Sequence, residues 1–152
     1  MNAQNELKVI FEDFKKDYID SIYDIENQSL DEAWSKEQLG GLIGCSNAIA
    51  RVGLVDNKAV CSYSLYIVGE EGFVNNLSVE ETFRGKGVGS FLMEDMINCS
   101  KLRNLSALTL EVNENNTAAI NLYRKFGFTV EGNRPKFYNG KDAALIMWKR
   151  NI

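Results

Sequence analysis

Arg84-Gly85-Lys86-Gly87-Val88-Gly89 sets three glycines and two cations between an apolar, strand-like run and the start of an amphipathic one. Glycines at this density let the backbone turn sharply and aim its N–H groups into one hollow. The first turn of the following helix adds unpaired donors and the positive end of its dipole. The chemistry such a junction offers is anion binding, and a phosphate fits it. A plain connecting turn uses the same residue types, so the hexapeptide alone leaves both readings open.

Other phosphate-binding patterns fit less well. GxxxxGK[ST] is absent, and a GxGxxG/A pattern begun at Gly85 and Gly87 meets Ser90 in its third place. Glu111 does stand about 20 residues further on, where a ribose-binding acid is found in dinucleotide folds. In those folds, however, the glycines follow their strand at once, whereas Glu80-Glu81-Thr82-Phe83-Arg84 intervene here. The chain has no histidine. Acid–base work near neutral pH therefore falls to carboxylates, tyrosine, lysine, cysteine or water, and histidine triads and histidine metal sites are excluded. Cys45, Cys61 and Cys99 form no CxxC pair and have no activating motif beside them, which fits reduced thiols and argues against a cysteine nucleophile.

The elements that must position these residues are legible from periodicity. Residues 7–11 read as a strand and residues 17–26 as a helix with Ile19, Ile22, Tyr23 and Glu26 at helical spacing. Ser35 with Gln38 three residues later makes a capping box for a second helix, weakened or ended by Gly40-Gly41 and Gly44. Residues 48–55 and 59–68 are β-rich and flank Asp56-Asn57-Lys58, a hairpin signal, and a third run at 73–79 leads into the glycine turn. From Val88 to Leu102 the apolar positions Val88, Leu92, Met96, Cys99 and Leu102 predict one buried stripe. Residues 108–112 alternate, with Leu108, Leu110 and Val112 on one face and Thr109, Glu111 and Asn113 on the other. Asn115-Asn116-Thr117 caps a helix over 118–126 that stops at Gly127. Strands at 128–131 and 143–149 complete the chain.

This order implies a mixed α/β domain. At 152 residues, 45% hydrophobic and 25% charged, the chain suits one domain over residues 1–152 with its own core and no linker. A net charge of -4 argues against a general nucleic-acid partner. The amino-terminal residues 1–8 lack a charged-then-apolar leader pattern, and no apolar run approaches the roughly 18 residues that span a bilayer, so a cytoplasmic location and no membrane partner are expected.

One pattern ties these pieces together: RxxGxG at Arg84, Gly87 and Gly89, then NxxAxxxYxxxGF at Asn116, Ala119, Tyr123, Gly127 and Phe128. With a helix and a strand between its halves, it resembles the GNAT family of acyl-coenzyme A N-acyltransferases. Similarity to the subfamily of bacterial ribosomal-protein N-terminal alanine acetyltransferases extends over most of the chain. It runs through Ile25-Glu26, Trp34-Ser35-Lys36-Glu37, Asn76-Leu77-Ser78-Val79, Leu110-Glu111-Val112 and Arg134-Pro135-Lys136-Phe137-Tyr138.

The resemblance implies a central mixed sheet of about six to seven strands flanked by about four helices, and acetyl-coenzyme A as the acyl donor. It places the pyrophosphate on the backbone amides of Arg84, Gly85, Lys86, Gly87, Val88, Gly89 and Ser90. The pantetheine arm would lie along Leu77, Ser78 and Val79, where a backbone amide serves as an oxyanion donor. Asn116 is a cofactor-binding amide, the cap of its helix, or both; the side chains of Arg84 and Lys86 add charge or are solvated. Glu111 becomes the candidate general base, acting through water on an amine, where strand alternation alone gives a solvated carboxylate. Tyr123 becomes the general acid toward the departing thiolate, as well as part of the cofactor site, where an isolated helix tyrosine would be packing. Trp34 and Tyr138 would frame the acceptor together with Glu111, Trp34 being read equally as ordinary packing.

The implied acceptor is a protein amino terminus, a ribosomal protein among the possibilities. The segments that frame it depart from the subfamily pattern, with Ala33 where a proline is usual, Phe137 in place of the first of two tyrosines, and Asn113 in place of an arginine. A small amine or lysine acceptor therefore stays open, as does a non-catalytic acyl-coenzyme A sensor.

Overall fold

The computed structural model describes residues 7–29 and 33–152; most of the amino-terminal segment read above for a leader lies outside them. Seven strands form one sheet: β1 (Ile10–Asp13), β2 (Ala48–Val55), β3 (Lys58–Val68), β4 (Glu71–Val79), β5 (Ala107–Asn113), β6 (Thr129–Tyr138) and β7 (Asp142–Arg150). Their order across the sheet is β1-β2-β3-β4-β5-β7-β6. Four helices accompany them: α1 (Ile19–Ser29), α2 (Lys36–Gly40), α3 (Val88–Leu102) and α4 (Thr117–Lys125). The mixed α/β class, the strand number and the helix number are those the resemblance implied.

Local chemistry accounts for most element ends. Asp56 and Asn57 sit at φ 50° and 65°, the paired positive values of a type I′ turn, and join β2 to β3 as a tight hairpin. The capping box of α2 is present, with Ser35 Oγ accepting from Gln38 N and Gln38 Oε1 accepting from Ser35 N. Some boundaries differ from expectation: α1 runs over Ile19–Ser29 and not 17–26, and β4 begins at Glu71 and not 73. β1 begins at Ile10, three residues late. β6 runs on to Tyr138 instead of ending near 131, because this edge strand is largely exposed and carries Pro135 and two register shifts, so it has no alternating pattern to read. Leu102 does not join the buried stripe of α3: the buried line runs Val88, Leu92, Met96, Ser100, and Leu102 at the helix end is 82% exposed.

Strand alternation divides the core between the two faces of the sheet. Ala48, Val52 and Leu54 of β2 meet Ile22 and Ile25 of α1 and Leu39 of α2. Ile49, with Tyr63 and Leu65 of β3, belongs to the opposite cluster with Leu92, Met93 and Met96 of α3 and Tyr123 of α4. On that second face Arg51 makes a bidentate contact to Asp95 of α3, at 3.0 Å on each oxygen, and Tyr63 Oη donates to the same carboxylate at 2.7 Å. This network pins α3, and with it the glycine turn, to the sheet.

One strand pair positions the site. Every neighbouring pair is antiparallel except β4 and β5, which are parallel and bonded only from Glu71–Phe73 to Ala107–Thr109. A bulge follows in β4: Leu65 faces Val74 and Ser64 faces Asn76, leaving Asn75 extra. Past the last paired residues the strands diverge, and the sheet opens between them. Among the described residues no helix is long and apolar enough to cross a membrane.

Candidate active site

The opening between β4 and β5 is a cleft of about 560 Å³. Its walls are Phe73 to Leu77 on one side and Thr109 to Asn113 on the other, with α4 and the end of β6 closing it. Trp34, Leu77, Glu111, Asn116, Tyr123 and Tyr138, all named from sequence, line it together. Ser78, Val79 and residues 84–90 do not line it. They continue β4 out of the cleft and into the turn before α3.

Glu111 projects from β5 and is the single carboxylate among the lining residues. It is paired with Arg134 of β6, whose Nε lies 2.9 Å from Oε2. Tyr123 is 8% exposed on α4, its ring tilted against Phe128. Burial, and to a smaller degree the neighbouring Tyr138, pushes its phenol up to about 12, so it holds its proton across the neutral range. Tyr138 stands at the end of β6 with its ring edge-on to Phe137 at 5.0 Å. Trp34 stacks on Tyr66 with ring centres 6.3 Å apart. Its role as packing and its place on the cleft wall are thus both real.

The glycine turn has the properties of an anion cradle. Gly87 is the N-cap of α3 at φ 84°, with no side-chain cap and no acidic residue in the first turn. Its carbonyl accepts from the amides of Ser90 and Phe91, while among the described residues the amides of residues 85–89 have no protein acceptor outside the helix. A Cβ at Gly87 would meet nothing within 4 Å, so the space over the turn is open. Arg84 Nε donates to the Val79 carbonyl at 3.3 Å, tying the turn to the strand end. Lys86 lies over the Phe83 ring, and Ser90 Oγ accepts from Lys125 Nζ at 3.1 Å. A diphosphate fits the free amides of this 15-residue helix start without a competing carboxylate.

Asn116 caps α4, its Oδ1 accepting from Ala119 N at 3.2 Å, and it also lines the cleft. Ser78 is buried and its hydroxyl faces Ser62 of β3, so only its backbone is available to a ligand along β4. Residues that sequence reasoning left without a role include Asn75, whose bulge no local pattern marks, and Thr109, whose hydroxyl is bound to the Met147 carbonyl. Arg134 is reached only by the long-range pairing of β6, β7 and β5.

Residues 9–128 match the profile of the Acetyltransferase (GNAT) family. A Bacillus subtilis chain provisionally named a ribosomal protein bS18-alanine N-acetyltransferase is 31% identical over 134 residues, covering 86% of this chain and 87% of its own. The crystal structure of the ribosomal-protein-S18-alanine N-acetyltransferase from Escherichia coli superposes with a TM-score of 0.87 at 24% identity, over 95% of this chain and 94% of that one. The PaiA N-acetyltransferase of Thermoplasma acidophilum, solved in complex with coenzyme A, superposes with a TM-score of 0.82 at 18% identity, over 95% and 99%.

Proposed function

Since the chain belongs to the acetyltransferase (GNAT) family, we propose that it transfers an acetyl group from acetyl-coenzyme A to the α-amine of a protein amino terminus that begins with alanine. A ribosomal protein is the acceptor its Bacillus subtilis relative is named for. The observation that carries this reading is the cleft itself, which joins one carboxylate, one buried protonated phenol and two aromatic walls at the split of the sheet, beside an uncapped helix start.

Bound acetyl-coenzyme A supplies the thioester. The free amides of residues 85–89 hold its diphosphate, those of Arg84 and Ser90 being bonded already to the Glu81 and Gly87 carbonyls, and the free edge of β4 near Leu77 to Val79 takes the pantetheine arm. Glu111 accepts the proton of the attacking amine through water. The new N–C bond forms as the C–S bond breaks, and Tyr123 gives its proton to the departing sulfur. A phenol near 12 stays protonated until that transfer, well above an ordinary thiol near 8.5. An α-amine, with a reference pKa of about 8 against about 10.4 for lysine, asks far less of a single carboxylate. The absence of histidine in the chain suits such an acceptor.

Glu111→Gln and Tyr123→Phe are expected each to lower kcat by roughly 10²- to 10⁴-fold, with acetyl-coenzyme A affinity by calorimetry little changed. Near-wild-type turnover in both variants would remove these two residues from the chemistry.

A further inference from the structure

Glu26 is a carboxyl on α1 with no exposed surface. A buried carboxyl is normally paired with a cation, and among the described residues this one has none. Its Oε1 accepts from Asn76 Nδ2 at 3.2 Å and from the backbone N–H of Trp34 at 3.4 Å, and Oε2 is buried with no protein partner among the described residues. Asn76 is held in turn by Ser64 of β3, whose hydroxyl donates to Asn76 Oδ1 at 3.0 Å. Thus α1, β3, β4 and the segment before α2 converge on one acid through uncharged groups.

The location of those partners gives the acid a task. Trp34 and Asn76 both line the cleft, whereas Glu26 stands behind the wall they make. Asn76 directly follows the bulged Asn75, where β4 leaves its partner register. A leucine at position 26 would fill the space but could not accept either N–H. We propose that Glu26 is a positioning residue for the acceptor: its buried carboxyl ties the backbone of Trp34 to Asn76 of β4 and so fixes the wall against which the acceptor's first residues lie. The proposal rests on the reading of the cleft as an acceptor site.

Burial pushes this carboxyl up to about 7, against smaller opposing effects of its bonds to Trp34 and Asn76. The tie therefore changes charge within the working range. Near pH 6 it is mostly the neutral acid; near pH 8.5 it is mostly an anion whose second oxygen has no donor. Glutamine reproduces the neutral form, with Oε1 in the same place and no titration.

The test measures peptide KM, kcat and acetyl-coenzyme A Kd for wild type, Glu26→Gln and Glu26→Ala. Glu26→Ala is expected to raise peptide KM about tenfold or more, the loss of roughly one hydrogen bond to a charged group or more, while kcat and acetyl-coenzyme A Kd stay within about twofold. Glu26→Gln is expected to restore peptide KM near pH 6. The ratio of its KM to that of wild type cancels ionisation of the peptide amine, and should depart from its pH 6 value by about threefold or more at pH 8.5, a midpoint near 7 leaving almost all the change inside that window. Equal losses of peptide and acetyl-coenzyme A binding, or a KM ratio flat with pH, would overturn the proposal.

A second readout does not need turnover. With 5-fluorotryptophan the chain gives two ¹⁹F signals, from Trp34 and Trp148, assigned by Trp148→Phe. The Trp34 signal should titrate with a midpoint near 7 in wild type and stay flat in Glu26→Gln; a flat wild-type signal overturns the tie even if Glu26→Ala does not fold. A titrating signal in a protein that acetylates no peptide would keep the tie and overturn its acceptor role, so the two failures are told apart.

Discussion

Glu111 is already engaged before an acceptor reaches it, since Arg134 lies 2.9 Å from its carboxylate. The arriving α-ammonium has to compete with that guanidinium. The Arg134 side chain is 58% exposed, so the pair is worth at most about 1 kcal/mol and yields easily. Arg134→Met should therefore lower peptide KM by up to about fivefold with kcat nearly unchanged, measured by steady-state kinetics on an alanine-initiated peptide. A comparable rise in KM would mean instead that Arg134 holds the peptide. At this scale the sequence was informative where a motif fixed the spacing, as for Glu111, Asn116 and Tyr123. It was silent where two residues meet only through the sheet. Arg134 reaches Glu111 across β7, and Glu26 lies on the helix face that periodicity assigned to the core, with nothing local to say that Asn76 waits there.

The turn and helix that follow β4 show two glycines with different physical duties. Gly87 holds φ 84° with open space where a Cβ would stand, so alanine there strains the backbone without a clash. The left-handed conformation costs an L-residue roughly 1–2 kcal/mol, and relaxing it re-aims the cradle amides. A Cβ at Gly89 would lie 3.0 Å from Leu122 Cδ2, so its smallness also serves the packing of α3 on α4, a constraint additional to the phosphate path expected from the motif. Gly87→Ala should weaken acetyl-coenzyme A binding by about tenfold and lower Tm by several degrees, whereas Gly89→Ala should leave acetyl-coenzyme A binding within about twofold. Calorimetry beside a thermal melt separates them; identical profiles for the two variants would contradict the division. The limits of α3 were legible because glycines and an i, i+4 stripe bound it. The extent of β6 was not, because an exposed edge strand carries no pattern of burial.

At the scale of the whole molecule, the candidate site depends on a sheet that fails to stay paired. β4 and β5 share only the pairs from Glu71–Ala107 to Phe73–Thr109 before they diverge. That split joins segments more than 30 residues apart, which no local periodicity encodes; the class of fold was readable, but its opening was not. The buried Glu26 also marks overall stability. Its carboxyl is raised from 4.5 to about 7 in the folded chain, so the fold binds its proton more tightly than the unfolded chain does. The stability this gives is full below about 4.5 and is lost as pH rises through about 7. Glu26→Gln escapes that loss. Its stability relative to wild type should grow between pH 5 and 8.5, by up to about 3 kcal/mol in denaturant melts, and a difference independent of pH would refute the linkage.

The most direct test of the central claim is coenzyme A release from acetyl-coenzyme A with two matched peptides, one beginning with a free alanine and the other blocked at its amino terminus but carrying an internal lysine. Turnover confined to the free-alanine peptide, with the acetyl group placed on the α-nitrogen by mass spectrometry, is the predicted result. Turnover on the blocked lysine peptide alone, or on neither, would contradict it.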